Sequence, residues 1–412
     1  MAYGRMVPGA ERNPATGSRT ARGAVGSPTA LRDANRDRIL EQLRRAGTAS
    51  QSELARATGL SRATVLNIVR ELADRELVSL TEGQHSGRRT VDVSLNPNAG
   101  VVVGVDFGHR HLRLAIADLT HDVLAEDQWH LELGHSASED IKLVSESLRK
   151  LLDIAGTSPE RVLGVGLGLP APVDPVTGEV GSSSILPGWV GVPAAKTVGA
   201  ELGLPVVVDN DANLGAMAEM LWGAAQGCQD LVYIKASTGI GAGLVMHGQV
   251  YRGAAGTAGE IGHMTIDEAG ALCRCGNRGC LESYAGSAAL VELLQASHGP
   301  DVDPQRLVTL ALEGDPGARR VLGDAGRYIG VAVANLCNLI APQLVVVGGE
   351  LARGGCLLVD PIRSMVARRS IPTAAHTAEI VHGVLGERAE VLGGVARALL
   401  EVTPEQLMRG PP

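Results

Sequence analysis

The run Cys273-Arg274-Cys275-Gly276-Asn277-Arg278-Gly279-Cys280-Leu281-Glu282 gathers three thiols, and His263 stands ten residues ahead of the first of them. Three thiolates and one imidazole suit one tetrahedral Zn(II), and Gly276 and Gly279 let a short loop turn its sulfurs onto one centre. The chain has six cysteines in 412 residues, so this spacing is a cluster rather than a scatter. Four protein ligands, His263, Cys273, Cys275 and Cys280, leave no open coordination position. The expected zinc, one per chain, is therefore structural and not catalytic. Its use is to hold Glu260 and Glu282, which bracket the ligands and are aimed at a polar small molecule.

The elements that position these groups belong to a chain long enough for two or more domains with ample core. Phe107 is the only phenylalanine, so Val, Leu, Ile and Ala must build that core. No apolar run is long enough to span a bilayer, and the N-terminus has no signal-peptide stretch. Cysteines used as a metal cluster fit a reducing compartment, so a cytoplasmic protein with no membrane partner is expected. Charge is uneven. Residues 1–100 hold 15 Arg and no Lys against 10 acidic residues, a net +5, while the remainder holds 22 basic and 35 acidic residues, a net −13. A basic head on an acidic body points to a head that meets a polyanion.

Residues 1–30, rich in Gly, Ala, Arg, Ser and Pro without apolar periodicity, read as a disordered extension. Order should begin near Leu31, with Ile39, Leu40 and Leu43 as the apolar face of a first helix. Ser50 and Glu53 form a capping box for a second helix, Gly59 supplies a turn, and Ser61 caps a third helix through about Ala73. Such a pair of helices is a helix-turn-helix. Leu77–Leu80 and Val91–Leu95 then alternate as strands joined by the basic, glycine-bounded segment 83–89, which makes a wing. Ser61, Arg62, Thr64 and Asn67 are expected to face the major groove of double-stranded DNA, with Arg88 and Arg89 reaching phosphate or the minor groove. The head, 31–97, ends at Pro97-Asn98.

From Val101 the pattern changes to buried strands alternating with helices. Val101–Asp106, Leu112–Asp118, a strand near Val123, a helix over about 139–154 and Val162–Gly168 form one series. Val206–Val208, Leu231–Ile234, Gly243–Met246 and Leu344–Val347, with helices after Leu281, form a second. Two series of this kind predict an α/β body of two lobes with a cleft between them over 98–402, followed by a tail at 403–412.

Several motifs occur in order along this body: Leu186-Pro187-Gly188-Trp189, Asp209-Asn210-Asp211-Ala212-Asn213, Ser237-Thr238-Gly239-Ile240-Gly241-Ala242-Gly243, Gly259-Glu260-Ile261-Gly262-His263 and the cysteine cluster. With them the chain resembles the ROK family (repressors, open reading frames and sugar kinases), over about 98–402. The resemblance implies an actin-like ATPase fold, and the winged head is similar to that of the family's transcription factors. It also implies that Asn210, Glu260, His263 and Glu282 hydrogen-bond sugar hydroxyls, and that Asp211 stands where family kinases keep the base that deprotonates the attacking hydroxyl. A polyol needs several such acceptors and rejects analogues that leave them unpaired. On the residues alone, Asn210-Asp211 is also a strand-to-helix turn with Asp211 as the helix cap.

The chain departs from the family pattern at three places. Ile185 replaces the Asn often found before Leu-Pro-Gly-Trp, and Pro170-Ala171 replaces a Pro-Gly. Family kinases open the first lobe with Asp-x-Gly-Gly-Thr-Lys, where this chain has Asp106-Phe107-Gly108-His109-Arg110-His111. A phosphate cradle needs close backbone approach, so Asp106, Gly108, Thr238, Gly239 and Gly241 are expected to form a degenerate nucleotide site with no catalytic residue in use. The resulting expectation is a sugar-responsive transcriptional regulator, a repressor of carbohydrate genes, acting as a homodimer or homotetramer on an operator with a monosaccharide effector. The alternative is an active hexose kinase with an appended DNA-binding domain.

Overall fold

A computed structural model describes residues 28–409 apart from 86–87, 133 and 182–185, while the side chains of 28–30, 84–89, 408 and 409 lie outside the description. The expected extension lies outside the description up to residue 27, but helix already begins at Pro28, ahead of the expected start at Leu31; the Ile185 departure and the side chains of Arg88 and Arg89 also lie outside it. The head comprises α1 (Pro28–Ala46), β1 (Thr48–Ser50), α2 (Gln51–Thr58), α3 (Arg62–Asp74), β2 (Val78–His85) and β3 (Arg88–Leu95). Both halves of the Ser50/Glu53 capping box are present, Gly59 ends α2 at φ 69°, and Ser61 caps α3. The wing strands run longer than the alternation of apolar residues suggested. Their antiparallel ladder continues from Val78↔Leu95 through Gly83↔Thr90 to His85↔Arg88, so backbone pairing extends where side-chain pattern has ended. The short strand β1, too brief to read from sequence, pairs with β3.

The first lobe contains β4 (Val101–Phe107), β5 (His111–Asp118), β6 (Val123–His130), α4 (Ala137–Ile154), β7 (Val162–Leu169), α5 (Ala194–Leu202), β8 (Val206–Asn210) and α6 (Asp211–Leu221). The second contains β9 (Leu231–Ala236), β10 (Ile240–Met246), β11 (Gln249–Val250), α7 (Glu282–Ala285), α8 (Ser287–His298), α9 (Pro304–Glu313), α10 (Pro316–Ile340), β12 (Leu344–Gly348), α11 (Cys356–Arg369), α12 (Pro372–Thr377) and β13 (Glu379–His382). The two five-stranded sheets share one topology. Their orders, β6-β5-β4-β7-β8 and β11-β10-β9-β12-β13, place three antiparallel strands beside two parallel ones. A duplicated lobe of this kind opens its cleft at the strand ends, where β8 meets α6 and β9 turns into β10.

The chain then crosses back. α13 (Ala389–Glu401) packs on α6 and on β4 of the first lobe. Where the sequence suggested only a tail, α14 (Pro404–Arg409) follows, with Leu407 buried and Gln406 donating to the Leu163 carbonyl at 2.8 Å. These last helices unite head and body. A single apolar cluster runs from Leu40 and Leu43 of α1 through Leu54 and Leu72 to Ala117, Leu392, Leu399 and Leu407. Full burial of one such leucine is worth about 1.5–3 kcal/mol, so the head is fused to the first lobe by shared core, not tethered by a linker. Among the described residues no helix is long and apolar enough to cross a membrane.

Candidate functional site

His263, Cys273, Cys275 and Cys280 converge, with one ligand atom from each lying within 4.8 Å of the others. Cys275 Sγ is 3.6 Å from Cys280 Sγ, and Cys273 Sγ is 3.8 Å from His263 Nδ1. Zn–S bonds of about 2.3 Å at tetrahedral angles put sulfurs about 3.8 Å apart, so the donor set fits zinc in both chemistry and spacing. The loop is shaped by Gly276 at φ 92° and Gly279 at φ 62°. A Cβ at Gly279 would fall 1.6 Å from the Asp267 carbonyl oxygen, so no other residue fits there. Burial and the neighbouring thiols push Cys280 up to about 12. The backbone amide of Asn277 works the other way on Cys275 and lowers its thiol, so the strain of packing these donors together falls on the buried Cys280, which a cation at the centre would relieve.

Because His263 Nδ1 faces the sulfurs, its Nε2 faces the cleft, 4.0 Å from Glu260 Oε2. Burial first, and then the charges of Asp211 and Glu282, push Glu260 up to about 7. Glu282 opens α7 at the far end of the same loop. Its Oε1 accepts from Arg274, with Nε at 2.8 Å and Nη2 at 2.6 Å, and its Oε2 accepts from the Ile240 amide at 3.3 Å. The cysteine loop thus fixes a donor ring and two carboxylates on one wall.

The opposite wall is the β8–α6 junction. The helix begins at Asp211, so its cap is Asn210 and not Asp211 as the sequence suggested. Asn210 has extended backbone, and its Oδ1 accepts from the amides of Ala212 at 2.9 Å and Asn213 at 3.4 Å. Asp211 is only 5% exposed; its Oδ1 accepts from the Ala212 amide and its Oδ2 from Lys235 Nζ, each at 2.7 Å. Burial raises its pKa and Lys235 opposes the rise. Asp209, one residue before the cap, is clamped by Arg252 at 2.8 and 2.5 Å and by Asn213 Nδ2 at 2.9 Å.

At the first glycine turn the His111 ring folds back over the backbone. His111 Nε2 lies 2.9 Å from Asp106 Oδ2, and a Cβ at Gly108 would meet that ring at 2.0 Å. Burial works to raise Asp106, but the His111 bond and the charges of His111, Lys235 and Arg113 outweigh it and hold the carboxyl below its usual range. The second turn, carrying Thr238, Gly239 and Gly241, is braced on α8, since the Ser287 amide donates to the Ser237 carbonyl at 2.9 Å. Trp189 of the Leu-Pro-Gly-Trp motif is fully buried and donates to Asp140 Oδ2 at 2.7 Å, with Phe107 5.2 Å away ring to ring. It pins the fold behind the turn.

On the head, Arg62 and Asn67 of α3 are exposed, as is Arg70, which the sequence reading passed over. Ser61 spends its hydroxyl on capping, accepting from the Thr64 amide at 3.1 Å and pairing with Thr64 Oγ1 at 2.9 Å. Thr64, Asn67 and Arg70 line a groove of about 740 Å³ between α3 and α1, together with Arg32 and Asn35.

Residues 102–400 match the model of the ROK family. The chain belongs to the ROK family. Residues 32–79 match a winged helix-turn-helix DNA-binding model, so the molecule is a winged helix-turn-helix followed by the actin-like ROK fold. The xylose repressor of Bacillus subtilis strain 168 is 30% identical over 371 residues, covering 90% of this chain and 96% of that protein. A glucokinase of Halalkalibacterium halodurans is 32% identical over 311 residues, but covers 71% of this chain and 93% of that protein. The crystal structure of a ROK family transcriptional regulator, homolog of E. coli MLC protein, superimposes with a TM-score of 0.76 at 26% identity, covering 92% of this chain and all of that one. Repressor-like relatives therefore span head and body together, whereas the kinase leaves much of the chain unmatched.

Lys235 and Glu390 escaped the sequence reading, while Asp209 and Arg274 stood inside its motifs with no role assigned. Lys235 had a visible signal, a single charge in the otherwise apolar strand Leu231–Ala236 just ahead of a glycine turn. Glu390 had none, because only the return of α13 to the first lobe brings it to the cleft.

Proposed function

We propose that this ROK protein is a sugar-responsive DNA-binding regulator, a repressor of carbohydrate genes, that binds its effector without phosphorylating it. The observation that carries this reading is the His111 ring lying in the space against Gly108, where a nucleotide phosphate needs bare backbone. The second glycine turn is explained by its bracing role and is no argument for ATP. A relative that shares both head and body is named a xylose repressor, which supports the same conclusion.

In this reading Asn210, Asp211, Glu260, His263 and Glu282 hold the sugar. Asp211 acts as an anionic acceptor for a hydroxyl and has no phosphoryl group to serve. His263, Cys273, Cys275 and Cys280 would hold one zinc per chain, which supplies charge neutralisation and stiffness to the loop. Second-shell restraint of this kind keeps first-contact groups in place. Arg62, Thr64 and Asn67, with Ser61 at the helix start, read the major groove, while Arg88 and Arg89 of the wing add phosphate affinity. A homodimer or homotetramer matches the two half-sites of a palindromic operator.

Sugar and DNA also have a physical connection. α6 starts at the Asn210-Asp211 wall and ends at Trp222, whose Nε1 donates to the His121 carbonyl at 3.1 Å. His121 Nε2 in turn donates to the Arg44 carbonyl, at 2.8 Å, in the last turn of α1. Burial lowers the His121 pKa, so the ring is neutral and suited to this donation. The turn that holds it is stiff, because Asp118 Oδ1 accepts from the Thr120 amide and hydroxyl at 2.7 Å and from the Asp122 amide at 3.1 Å. A shift of α6 on sugar binding is thereby delivered to the head, provided the sugar favours one lobe arrangement over the other.

Coupled ATP turnover with a monosaccharide panel tests the reading. No steady phosphorylation is expected from any sugar, and a sugar that raises the melting temperature by binding the folded state identifies the effector. Sustained ATP-dependent phosphorylation would restore the kinase.

A further inference from the structure

Lys235 is one of four lysines in a chain whose other 33 basic residues are arginine. Its ammonium is 2.7 Å from Asp211 Oδ2 and 3.8 Å from Glu390 Oε1, and its side chain is 13% exposed. Glu390 is 2% exposed and also accepts from the Tyr233 hydroxyl at 3.2 Å. Asp106 is fully buried and acts on the same ammonium through its charge. Two buried carboxylates, from α6 and α13, thus flank one cation on β9, and a third, Asp106 of β4, acts on it from further off. Burial works against the charge of Lys235, but Asp211, Glu390 and Asp106 outweigh it and hold its pKa above the usual lysine value. The ammonium is permanent at any physiological pH.

Buried carboxylates gathered in this way need a counter-cation. In enzymes that transfer phosphoryl groups that cation is a divalent metal bridging carboxylate and phosphate oxygens. We propose that Lys235 is a built-in cation that closes this cluster to a divalent metal and restricts the pocket to an uncharged monosaccharide, excluding sugar phosphates. This rests on the sensor reading above and names the ligand class of the same site.

Three arginines around the cleft support the restriction, because each is already committed to a carboxylate. Arg274 is paired with Glu282, and Arg252 with Asp209. Arg113 donates to Glu387 at 2.5 Å and lies 3.9 Å from Asp106. A phosphate dianion entering beside Asp211 would have to break one of these pairs, stranding a buried carboxylate, or remain unpaired itself. An uncharged polyol does neither, since its hydroxyls donate to lone pairs that Asp211 and Glu260 still offer.

Calorimetry on the full chain tests the ligand class without any variant, using glucose, xylose and N-acetylglucosamine, each against its own terminal phosphate ester. For the sugar that binds, the phosphate ester should bind at least about a hundredfold more weakly, as expected for burying an unpaired charge. An ester that binds as tightly as its parent sugar overturns the proposal. Mn(II) binding followed by electron paramagnetic resonance tests the cation. The native chain should take up no Mn(II) that Asp211→Asn removes. Lys235→Met should gain about one Mn(II) per chain, as a vacated oxygen site for a hard dication predicts, and Asp211→Asn added to it should abolish the gain. Native Mn(II) binding that depends on Asp211, or no gain in a folded Lys235→Met protein, overturns the assignment. If neither sugars nor esters bind, the sensor reading fails and the ligand class with it, while the manganese arm still decides the role of Lys235.

Discussion

Asp211 stands where two requirements meet. A general base must be free to take a proton, whereas an acceptor that orients a hydroxyl must keep its charge, and the 2.7 Å contact with Lys235 favours the second. Replacing Asp211 with Asn preserves shape and removes a charge-assisted bond of about 1.5–3 kcal/mol. Roughly ten- to hundredfold more sugar should then be needed for the same DNA response, measured as operator affinity across a sugar titration. Glu350 allows an independent check on burial. It follows the Gly348-Gly349 turn, and burial, with Glu387 and Asp303 nearby, pushes it up to about 7. A carboxyl whose folded pKa is raised costs nothing below its ordinary value of 4.5; the cost grows as pH rises from there to about 7 and is complete above it. Glu350→Gln should therefore stabilise the protein by on the order of 1–2 kcal/mol at pH 8 and by little at pH 4, read as the pH dependence of the melting temperature. At this scale the sequence was legible wherever residues cluster in the chain. The Cys and His cluster is close in number as well as in space, as is the Asn210-Asp211 pair, while Glu390 reaches Asp211 and Lys235 only through the path of the last long helix.

α6 is the element on which the regulatory reading depends. It is 11 residues long, so it spans about 16 Å at 1.5 Å per residue, from the proposed sugar wall to the contact with the head. Trp222→Ala removes the bond to the His121 carbonyl and the ring contact at 6.0 Å, but touches none of the sugar residues. Sugar affinity should stay within about threefold, while the sugar-dependent change in DNA affinity should shrink by about 1 kcal/mol or more, the usual scale of a coupling energy. Calorimetry with sugar and a DNA-binding assay read the two separately. If both are unchanged, α6 carries no signal. α3 offers the complementary test. Arg62→Ala and Asn67→Ala should each cost about 1–3 kcal/mol and relax one operator position if they contact bases; unchanged selectivity would remove them from the groove. The helices of the head were readable because caps and turns are local chemistry, with Ser50, Glu53, Gly59 and Ser61 all acting as their types require. The strand β1 and the extended wing were not, because ladder pairing with β3 leaves no mark on side-chain pattern.

At the scale of the whole molecule, the sequence announced a basic head, an acidic two-lobed body and the order of their motifs, but not how they are joined. That junction is the core shared by α1, α13 and α14, and it needs Leu399 and Leu407 to return to residues more than 300 positions earlier. A fused head makes coupling through small movements reasonable, since packed cores shift between discrete arrangements and do not stretch. The cysteine loop, with the proposed zinc, would be the other global restraint. Elemental analysis should find about one zinc per chain, and Cys275→Ser should lower the stability of the whole body, because metal binding of this kind is linked to folding. Whether sugar is sensed and not phosphorylated is decided by how DNA affinity answers to sugar alone. Affinity for a duplex selected from a random pool is measured during titration with each monosaccharide, with no nucleotide present. At least one sugar is expected to weaken DNA binding about tenfold or more, a coupling of about 1.4 kcal/mol. DNA affinity that no sugar alters until ATP is added, accompanied by accumulation of a sugar phosphate, would contradict it.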